Sequence, residues 1–257
     1  KASVGPVAAV RGPRSTKALQ TVAIKEDGML LATAGWDAEI HLWNADAELF
    51  TPGTEGSVGS KRKATTTAQA AVPKQTLTGH GQVVSSMQFG SPSRFPFTLL
   101  SASWDSTVRV WDIAAASCVC NWTVARAATS MTVSPVMPPQ IATSHEDGHV
   151  TIWDIRAPPH SRVAGAVSLD PTAGLPLVSS QMPHKRLASQ VAWCPEDSTR
   201  LACVGHDGHL CILDPRSPKM PLQSVRIGKP GPNPTKLLCM AWLSRDEIAV
   251  GGSDGKV

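Results

Sequence analysis

The residues best suited to chemistry lie in His145-Glu146-Asp147-Gly148-His149, which matches the H-E-x-x-H pattern of zinc proteases. That chemistry requires a helix, because a helix places two histidines four residues apart on one face. Asp147-Gly148 is instead typical of a hairpin turn, which puts the two histidines on opposite strands. His206 and His209 flank an equivalent Asp-Gly pair. The pattern therefore indicates a repeated turn, and we expect no metal ligands and no cofactor.

Other catalytic signatures are missing from the sequence. It contains no Gly-x-Ser-x-Gly elbow, no Walker loop and no Rossmann glycine pattern, so we do not expect an enzyme. The six cysteines are scattered and form no C-x-x-C pair. Cys118 and Cys120 lie two apart on one predicted strand, where they share a face and are poorly placed for a disulfide. Reduced, mostly buried cysteines of an intracellular protein are the expectation.

Bulk composition sets broad limits. The 257 residues are enough for one domain with a large core, and no run of 18 apolar residues suggests a membrane span. No secretory signal is evident. The net charge of +4 permits weak attraction to nucleic acid without requiring it. Because the chain starts with Lys1 and stops inside a repeat at Val257, we expect a piece of a longer protein.

One short pattern recurs along the chain. Leu100 to Ile113 is its clearest copy: two apolar alternating runs meet at Asp105-Ser106, which predicts a tight hairpin. The turn aspartates of the five copies are 68, 42, 60 and 47 residues apart, and they are Asp37, Asp105, Asp147, Asp207 and Asp254. An underlying period of about 40–45 residues, with insertions in the two long intervals, indicates a repeat architecture.

These repeats resemble those of the WD40 family, on the strength of Gly79-His80 before the turn and Trp111-Asp112 after it. The resemblance implies an all-β fold, a β-propeller with about five blades in residues 1–257 and about two more outside them. The predicted blades lie near residues 18–45, 76–125, 126–157, 184–224 and 235–257. Between them we predict a flexible insertion at 46–75 and a proline-rich insertion at 157–183.

The family resemblance also implies a structural relay in each blade. A histidine, a Ser or Thr, the turn Asp and a Trp of the third strand are hydrogen-bonded there, without catalysis. The second blade matches in full, and the others match in part: His80, Ser101, Asp105 and Trp111; Thr33, Asp37 and Trp43; Thr143, Asp147 and Trp153; and His184 with Asp207, where Cys203 and Leu213 replace the hydroxyl and the Trp. We interpret the gaps as drift in a structural device.

Two features remain as candidate contacts with partners. Trp36 and Trp104 each precede a turn Asp, at a position where the resemblance implies a partner-docking face. They predict either an aromatic anchor or packing between adjacent blades. Lys61-Arg62-Lys63, inside the first insertion, indicates either a nuclear-localisation or RNA-phosphate contact, or a solvated loop.

Two specific families of WD40 proteins come into question. Trp153-Asp154-Ile155-Arg156 resembles the box found in substrate receptors of cullin-type ubiquitin ligases, although an Arg at this place is common in WD repeats. The order of Gly35-Trp36-Asp37, the long insertion, Gln75 to His80 and Leu100 to Ile113 resembles the WD-repeat subunits of the PeBoW complex. Leu213 to Leu222 and Gly251 to Gly255 are similar to the last blades of that family.

The PeBoW resemblance implies a non-catalytic scaffold in ribosome biogenesis. Its partners would be Pescadillo-type and Bop-type assembly factors on pre-large-subunit ribosomal particles, with a role in large-subunit pre-rRNA processing. The expected location is the nucleus, in nucleolus and nucleoplasm, with no membrane contact and at most weak RNA contact. The ubiquitin-like N-terminal domain of that family is not found in these residues, so its ATPase contact is not carried over.

Overall fold

A computed structural model describes residues 17–44, 73–90, 97–135, 140–154, 177–217, 221–227 and 234–255. All regular structure in these ranges is β-strand. The strands are β1 Leu19–Ile24, β2 Leu30–Gly35, β3 Ile40–Asn44, β4 Gln75–Leu77, β5 Val84–Phe89, β6 Thr98–Ser103, β7 Thr107–Asp112, β8 Ser117–Thr123, β9 Ala128–Val133, β10 Gln140–His145, β11 Val150–Asp154, β12 Leu177–Gln181, β13 Ala188–Cys194, β14 Asp197–Gly205, β15 His209–Leu213, β16 Gln223–Arg226, β17 Leu237–Trp242 and β18 Ile248–Gly252.

The strands form antiparallel sheets in which chain neighbours pair. Four sheets have four strands each, β1–β4, β5–β8, β9–β12 and β13–β16, and β17 pairs with β18. We call these sheets blades one to five. Their inner strands, β1, β5, β9, β13 and β17, contact one another in that order. The predicted all-β fold is confirmed, and the repeated sheets are consistent with a β-propeller.

The fourth strands differ from the predicted blade limits. β4 pairs with β3 through Ile40 and Leu77, so Gln75–Leu77 completes blade one, whereas the sequence pattern predicts that blade two begins near residue 76. β12 lies inside the predicted proline-rich insertion and pairs with β11, with Val150 opposite Gln181. Both strands follow long connections, so pairing with a distant edge, and not proximity in sequence, determines where they belong. Residues 46–72 and 157–176 of the two insertions lie outside the described residues.

Neighbouring sheets pack face to face. The first buried cluster joins Ile40 and Leu42 of blade one to Val84, Leu99 and Trp111 of blade two. Three further clusters join the next pairs of blades in the same manner. Blades two, three and four are thus each buried between two others, since a strand alternates its side chains between the two faces of the sheet.

The first and last sheets each leave an apolar face exposed. On β1, Leu19, Val22 and Ile24 are 58%, 61% and 67% exposed. On the last sheet, Leu238 is exposed, as is Leu243 beyond β17. Apolar strand faces of this size normally pack against another element.

Hydroxyl groups join the inner strands across the blade boundaries. A Ser or Thr at the second position of β5, β9 and β13 donates a hydrogen bond to a backbone carbonyl of the next inner strand. The pairs are Ser85 Oγ with Ala128 O at 2.6 Å, Thr129 Oγ1 with Ala188 O at 2.5 Å, and Ser189 Oγ with Leu237 O at 2.5 Å. These bonds satisfy the carbonyl oxygens at the first residues of the inner strands. They also fix how adjacent inner strands are aligned along their length.

Candidate functional site

One edge of the sheets collects several of the predicted site residues. It consists of the turns between the second and third strands and the loops that precede the inner strands, and we call it the turn edge. The turn Asp of each of the first four blades lies here, at residues 37, 105, 147 and 207. Trp36 and Trp104 lie directly before two of these turns.

In blade two the four predicted relay residues form one hydrogen-bonded chain. Trp111 Nε1 donates to Ser101 Oγ at 2.8 Å, and Ser101 Oγ lies 2.7 Å from His80 Nε2. His80 Nδ1 lies 2.9 Å from Asp105 Oδ2. Because a carboxylate only accepts, Nδ1 carries the proton, and Nε2 accepts from the serine hydroxyl. Ser101 is fully buried, and each donor in this series of hydrogen bonds has a partner inside the protein.

The Asp105 carboxylate is held ionised by several donors. Burial alone would raise its pKa, but hydrogen bonds from His80, Thr107 and the Gly81 amide hold the pKa of Asp105 well below its ordinary value. Thr107 contributes both its backbone amide at 2.8 Å and its hydroxyl at 2.6 Å. The carboxylate therefore fixes the β6–β7 turn and the loop before β5 to each other.

Blade one retains only part of the relay. Trp43 Nε1 donates to Thr33 Oγ1 at 2.9 Å. Asp37 does not reach Thr33 through a histidine. Instead His41, on β3, lies with Nε2 at 3.4 Å from Asp37 Oδ2 and with Nδ1 at 3.1 Å from Thr76 Oγ1. The sequence reasoning missed His41 because it sought the histidine in the loop before the blade.

Blade three substitutes a different histidine. Trp153 Nε1 donates to Thr143 Oγ1 at 2.9 Å, and His145 Nε2 lies 2.9 Å from the same hydroxyl. Asp147 stands apart from this pair and contacts His149 Nδ1 at 3.1 Å. His145 and His149 lie on either side of the hairpin turn. A buried histidine two residues after the hydroxyl, in a blade without Gly-His, is the signal that sequence reasoning overlooked.

Blade four contains a cysteine, a histidine and an aspartate in line. His184 Nε2 lies 3.2 Å from Cys203 Sγ, and His184 Nδ1 lies 3.0 Å from Asp207 Oδ1. The order matches nucleophile, base and orienting group in a cysteine hydrolase. However, Cys203 is fully buried, and burial raises the pKa of its thiol well above the ordinary value. A buried, protonated thiol is a poor nucleophile, so the arrangement serves as a relay with sulfur in place of oxygen.

The two tryptophans of the turn edge contact each other across the boundary between blades one and two. Their ring centroids are 5.4 Å apart and their planes meet at 70°, an edge-to-face contact. Trp36 nevertheless remains 48% exposed and Trp104 37% exposed. The two rings therefore pack against each other between blades and also present aromatic surface to solvent.

Several predicted contacts fall elsewhere. Lys61, Arg62 and Lys63 lie outside the described residues, and so does Arg156 of the ligase-like box. Arg216, in the weaker copy of that box, is paired with Asp214 at 2.9 Å. In the part of the chain that the structure describes, no group of three or more His, Cys, Asp or Glu side chains is placed to hold a metal ion. Within the same ranges, no helix is long and apolar enough to cross a membrane.

Comparison with known proteins agrees with the repeated sheets. The model of the family "WD domain, G-beta repeat" matches residues 6–44 and 71–112, which include the first two turn aspartates. Residues 6–44 and 71–112 therefore contain WD40 repeats. Beyond residue 112, blades three and four repeat the same four-stranded order.

Several proteins similar to this chain have the name "Ribosome biogenesis protein WDR12 homolog". The protein from Nematostella vectensis is 27% identical over 248 residues, which cover 94% of this chain and 54% of the relative. The protein from Chlamydomonas reinhardtii is 26% identical over 92% of this chain and 50% of its own length. The protein from Oryza sativa subsp. japonica is 26% identical over 99% of this chain and 53% of its own length.

These similarities confirm the resemblance to the WD-repeat subunits of PeBoW. The chain spans about half the length of the curated relatives it matches. WD40 repeats are consistent with a protein that binds other proteins.

Proposed function

We propose that this chain is a non-catalytic scaffold for maturation of the large ribosomal subunit. It assembles with Pescadillo-type and Bop-type partners on pre-large-subunit particles, in the nucleolus and nucleoplasm, and contributes to pre-rRNA processing there. The single observation that carries the proposal is the similarity to ribosome biogenesis proteins from an animal, an alga and a plant over 92–99% of the chain. The scaffold role is therefore inferred from relatives that are about twice as long as this chain and that match most of it.

Within this role we assign partner docking to the turn edge around Trp36 and Trp104. Exposed aromatic rings are frequent anchors of protein interfaces because they bury a large area at a small cost in side-chain entropy. The edge-to-face contact holds both rings in place before a partner binds. A rigid sheet scaffold adds to this advantage, since little of the surface has to be ordered on binding.

Affinity purification of the full-length protein, with identification of the co-purifying proteins and RNA, tests the proposal. We expect a Pescadillo-type protein, a Bop-type protein and precursor RNA of the large subunit. A cullin and its adaptor without ribosomal precursors would instead support the ubiquitin-ligase alternative. In that case Arg156→Ala is the next variant, because it should abolish adaptor binding.

A further inference from the structure

A polar pocket opens on the turn edge between blades four and five. Its volume is about 380 Å³, and its walls come from the loop before β13, the β14–β15 turn, the end of β16 and the loop before β17. Three cationic side chains line it, Lys185, Arg186 and Arg226, together with one carboxylate, Asp207. The lining therefore carries a formal charge of +2 with His209 neutral.

The three cations have no anionic partner in the described part of the chain. Lys185, Arg186 and Arg226 are all exposed, and none forms an ion pair. The arginines at the opposite edge of the same two blades differ. Their carboxylate partners lie within hydrogen-bond or ion-pair distance: Arg200 with Asp246 at 3.0 Å, Arg216 with Asp214 at 2.9 Å, and Arg245 with Asp197 at 3.3 Å. Unneutralised positive charge is thus concentrated at the pocket.

The Asp207 carboxylate forms no ion pair with these three cations, because its oxygens already accept hydrogen bonds from other donors. His184 Nδ1 lies 3.0 Å from Oδ1, and the backbone amide of Lys185 donates to Oδ2 at 3.0 Å. The amide of His209 donates to Oδ1 at 3.2 Å. The charged ends of the pocket cations are therefore free to meet an anion from solution.

The positive charge continues along the turn edge on both sides. Arg126, whose Nε lies 3.5 Å from Asp147 Oδ2, is in the loop before β9, Arg186 in the loop before β13, and Lys236 directly before β17. Burial, and then the positive charges of Lys236 and Arg186, lower the pKa of His206 between them. Cations thus stand in the loops before the inner strands of three consecutive blades, and such a row suits an extended polyanion better than a single small anion.

We propose that this pocket binds the phosphodiester backbone of single-stranded RNA. Arginine forks and lysine ammonium groups are the usual partners of phosphate oxygens. The lining contains no Trp, Phe or Tyr side chain; its aromatic ring is the imidazole of His209, and its apolar residues are Pro183 and Pro234. It therefore offers no extended aromatic platform for stacking bases and no apolar anchor for a peptide, so contact is with the backbone and independent of sequence. The site is distinct from the tryptophan pair and does not depend on the proposed scaffold role.

The test is fluorescence anisotropy with the full purified chain and a labelled single-stranded RNA of mixed sequence, at a series of salt concentrations. The test variant is Lys185→Ala/Arg186→Ala/Arg226→Ala. The matched control is Arg200→Ala/Arg216→Ala/Arg245→Ala, which removes the same formal charge from the opposite edge. Thermal melting of both variants verifies folding. If the first variant does not fold, Lys185→Gln/Arg186→Gln replaces it, because both side chains are exposed.

The wild-type chain should bind the RNA with an affinity that falls steeply as salt rises. The pocket variant should bind roughly tenfold more weakly or worse at moderate salt, and the slope of log K against log salt should fall by about 2 for three lost phosphate contacts. The control should remain close to the wild type. Equal RNA binding by pocket variant and wild type would overturn the proposal, as would an equal loss in the control. Tighter binding of a polyglutamate peptide than of RNA would assign the pocket to an acidic protein segment instead.

Discussion

At the residue scale, the turn edge depends on buried hydroxyl, imidazole and carboxylate groups that satisfy one another. The sequence predicted the complete set in blade two, because His80, Ser101, Asp105 and Trp111 stand at the family spacing. It did not predict His41 or His145. These two histidines enter from strands of the blade itself, and which hydroxyl an imidazole reaches depends on strand register and not on distance along the chain.

Replacing Ser101 by Ala should destabilise the fold. The hydroxyl is the shared partner of Trp111 Nε1 and His80 Nε2, so its loss leaves two buried polar atoms unpaired. We expect a decrease of about 1–3 kcal/mol in the free energy of unfolding, measured by urea denaturation. Ser117→Ala, at an exposed position of the same blade, is the control. A Ser101→Ala protein as stable as that control would show that the relay contributes no stability.

Asp207 makes the stability of the chain dependent on acid pH. Burial opposes ionisation, but hydrogen bonds from His184 and the Lys185 amide lower the pKa of Asp207 from 3.8 to about 2 in the folded protein. A lowered folded-state pKa stabilises above the unfolded pKa, and the contribution disappears as the pH falls from about 4 to about 2. Asp207→Asn should therefore lower the free energy of unfolding by about 2 kcal/mol at pH 7 and by much less near pH 2.

Urea denaturation of the wild type and of Asp207→Asn at several pH values measures this difference. Glu247→Gln, which removes an equally charged but exposed carboxylate, should match the wild type throughout. The same deficit for Asp207→Asn at pH 7 and at pH 2.5 would contradict the assignment of a lowered pKa.

At the element scale, apolar alternation predicted the strands around each turn. Asp-Gly and Asp-Ser pairs predicted the turns themselves. β4 and β12 were not assigned to their sheets. Each is short and is separated from its partner by a long connection. A strand of three to five residues acquires its place only by pairing with an edge that the rest of the sheet has already formed.

The hydroxyl contacts between inner strands can be tested by mutation. Thr129→Val keeps the shape of the side chain and removes the donor to Ala188 O, so the stability should fall by about 0.5–1.5 kcal/mol. Thr132→Val on the same strand is the control, because that hydroxyl makes no bond in the described residues. Chemical denaturation of both variants compares them directly. Equal stability of the two would show that the contact between blades three and four does not depend on this hydroxyl.

At the scale of the whole molecule, the turn edge carries two different surfaces. Around Trp36 and Trp104, in blades one and two, it is aromatic; around Lys185 and Arg226, in blade four, it is cationic. Several blades held side by side can present a protein-binding surface and an anion-binding surface at the same time. This division is consistent with a scaffold that brings protein and RNA together in a particle.

Trp104→Ala tests the aromatic surface. If the ring is an anchor, affinity for a Bop-type partner should fall by more than about 1 kcal/mol while the melting temperature changes little. Isothermal titration calorimetry and thermal melting measure the two quantities on the same preparation. Leu222→Ala, at an exposed apolar position of the opposite edge, is the control. Unchanged affinity combined with a lower melting temperature would assign Trp104 to packing between blades only.

The sequence by itself determined the fold class, the positions of the turns and the complete relay of blade two, because these depend on local alternation and on spacing within one repeat. Only the tertiary structure decided the rest. It placed β4 and β12, replaced the missing loop histidines with His41 and His145, put Trp36 against Trp104, and gathered Lys185, Arg186 and Arg226 around one pocket. Each of these depends on contacts between residues far apart in the chain, whose distances are set when the blades pack and not by any local pattern.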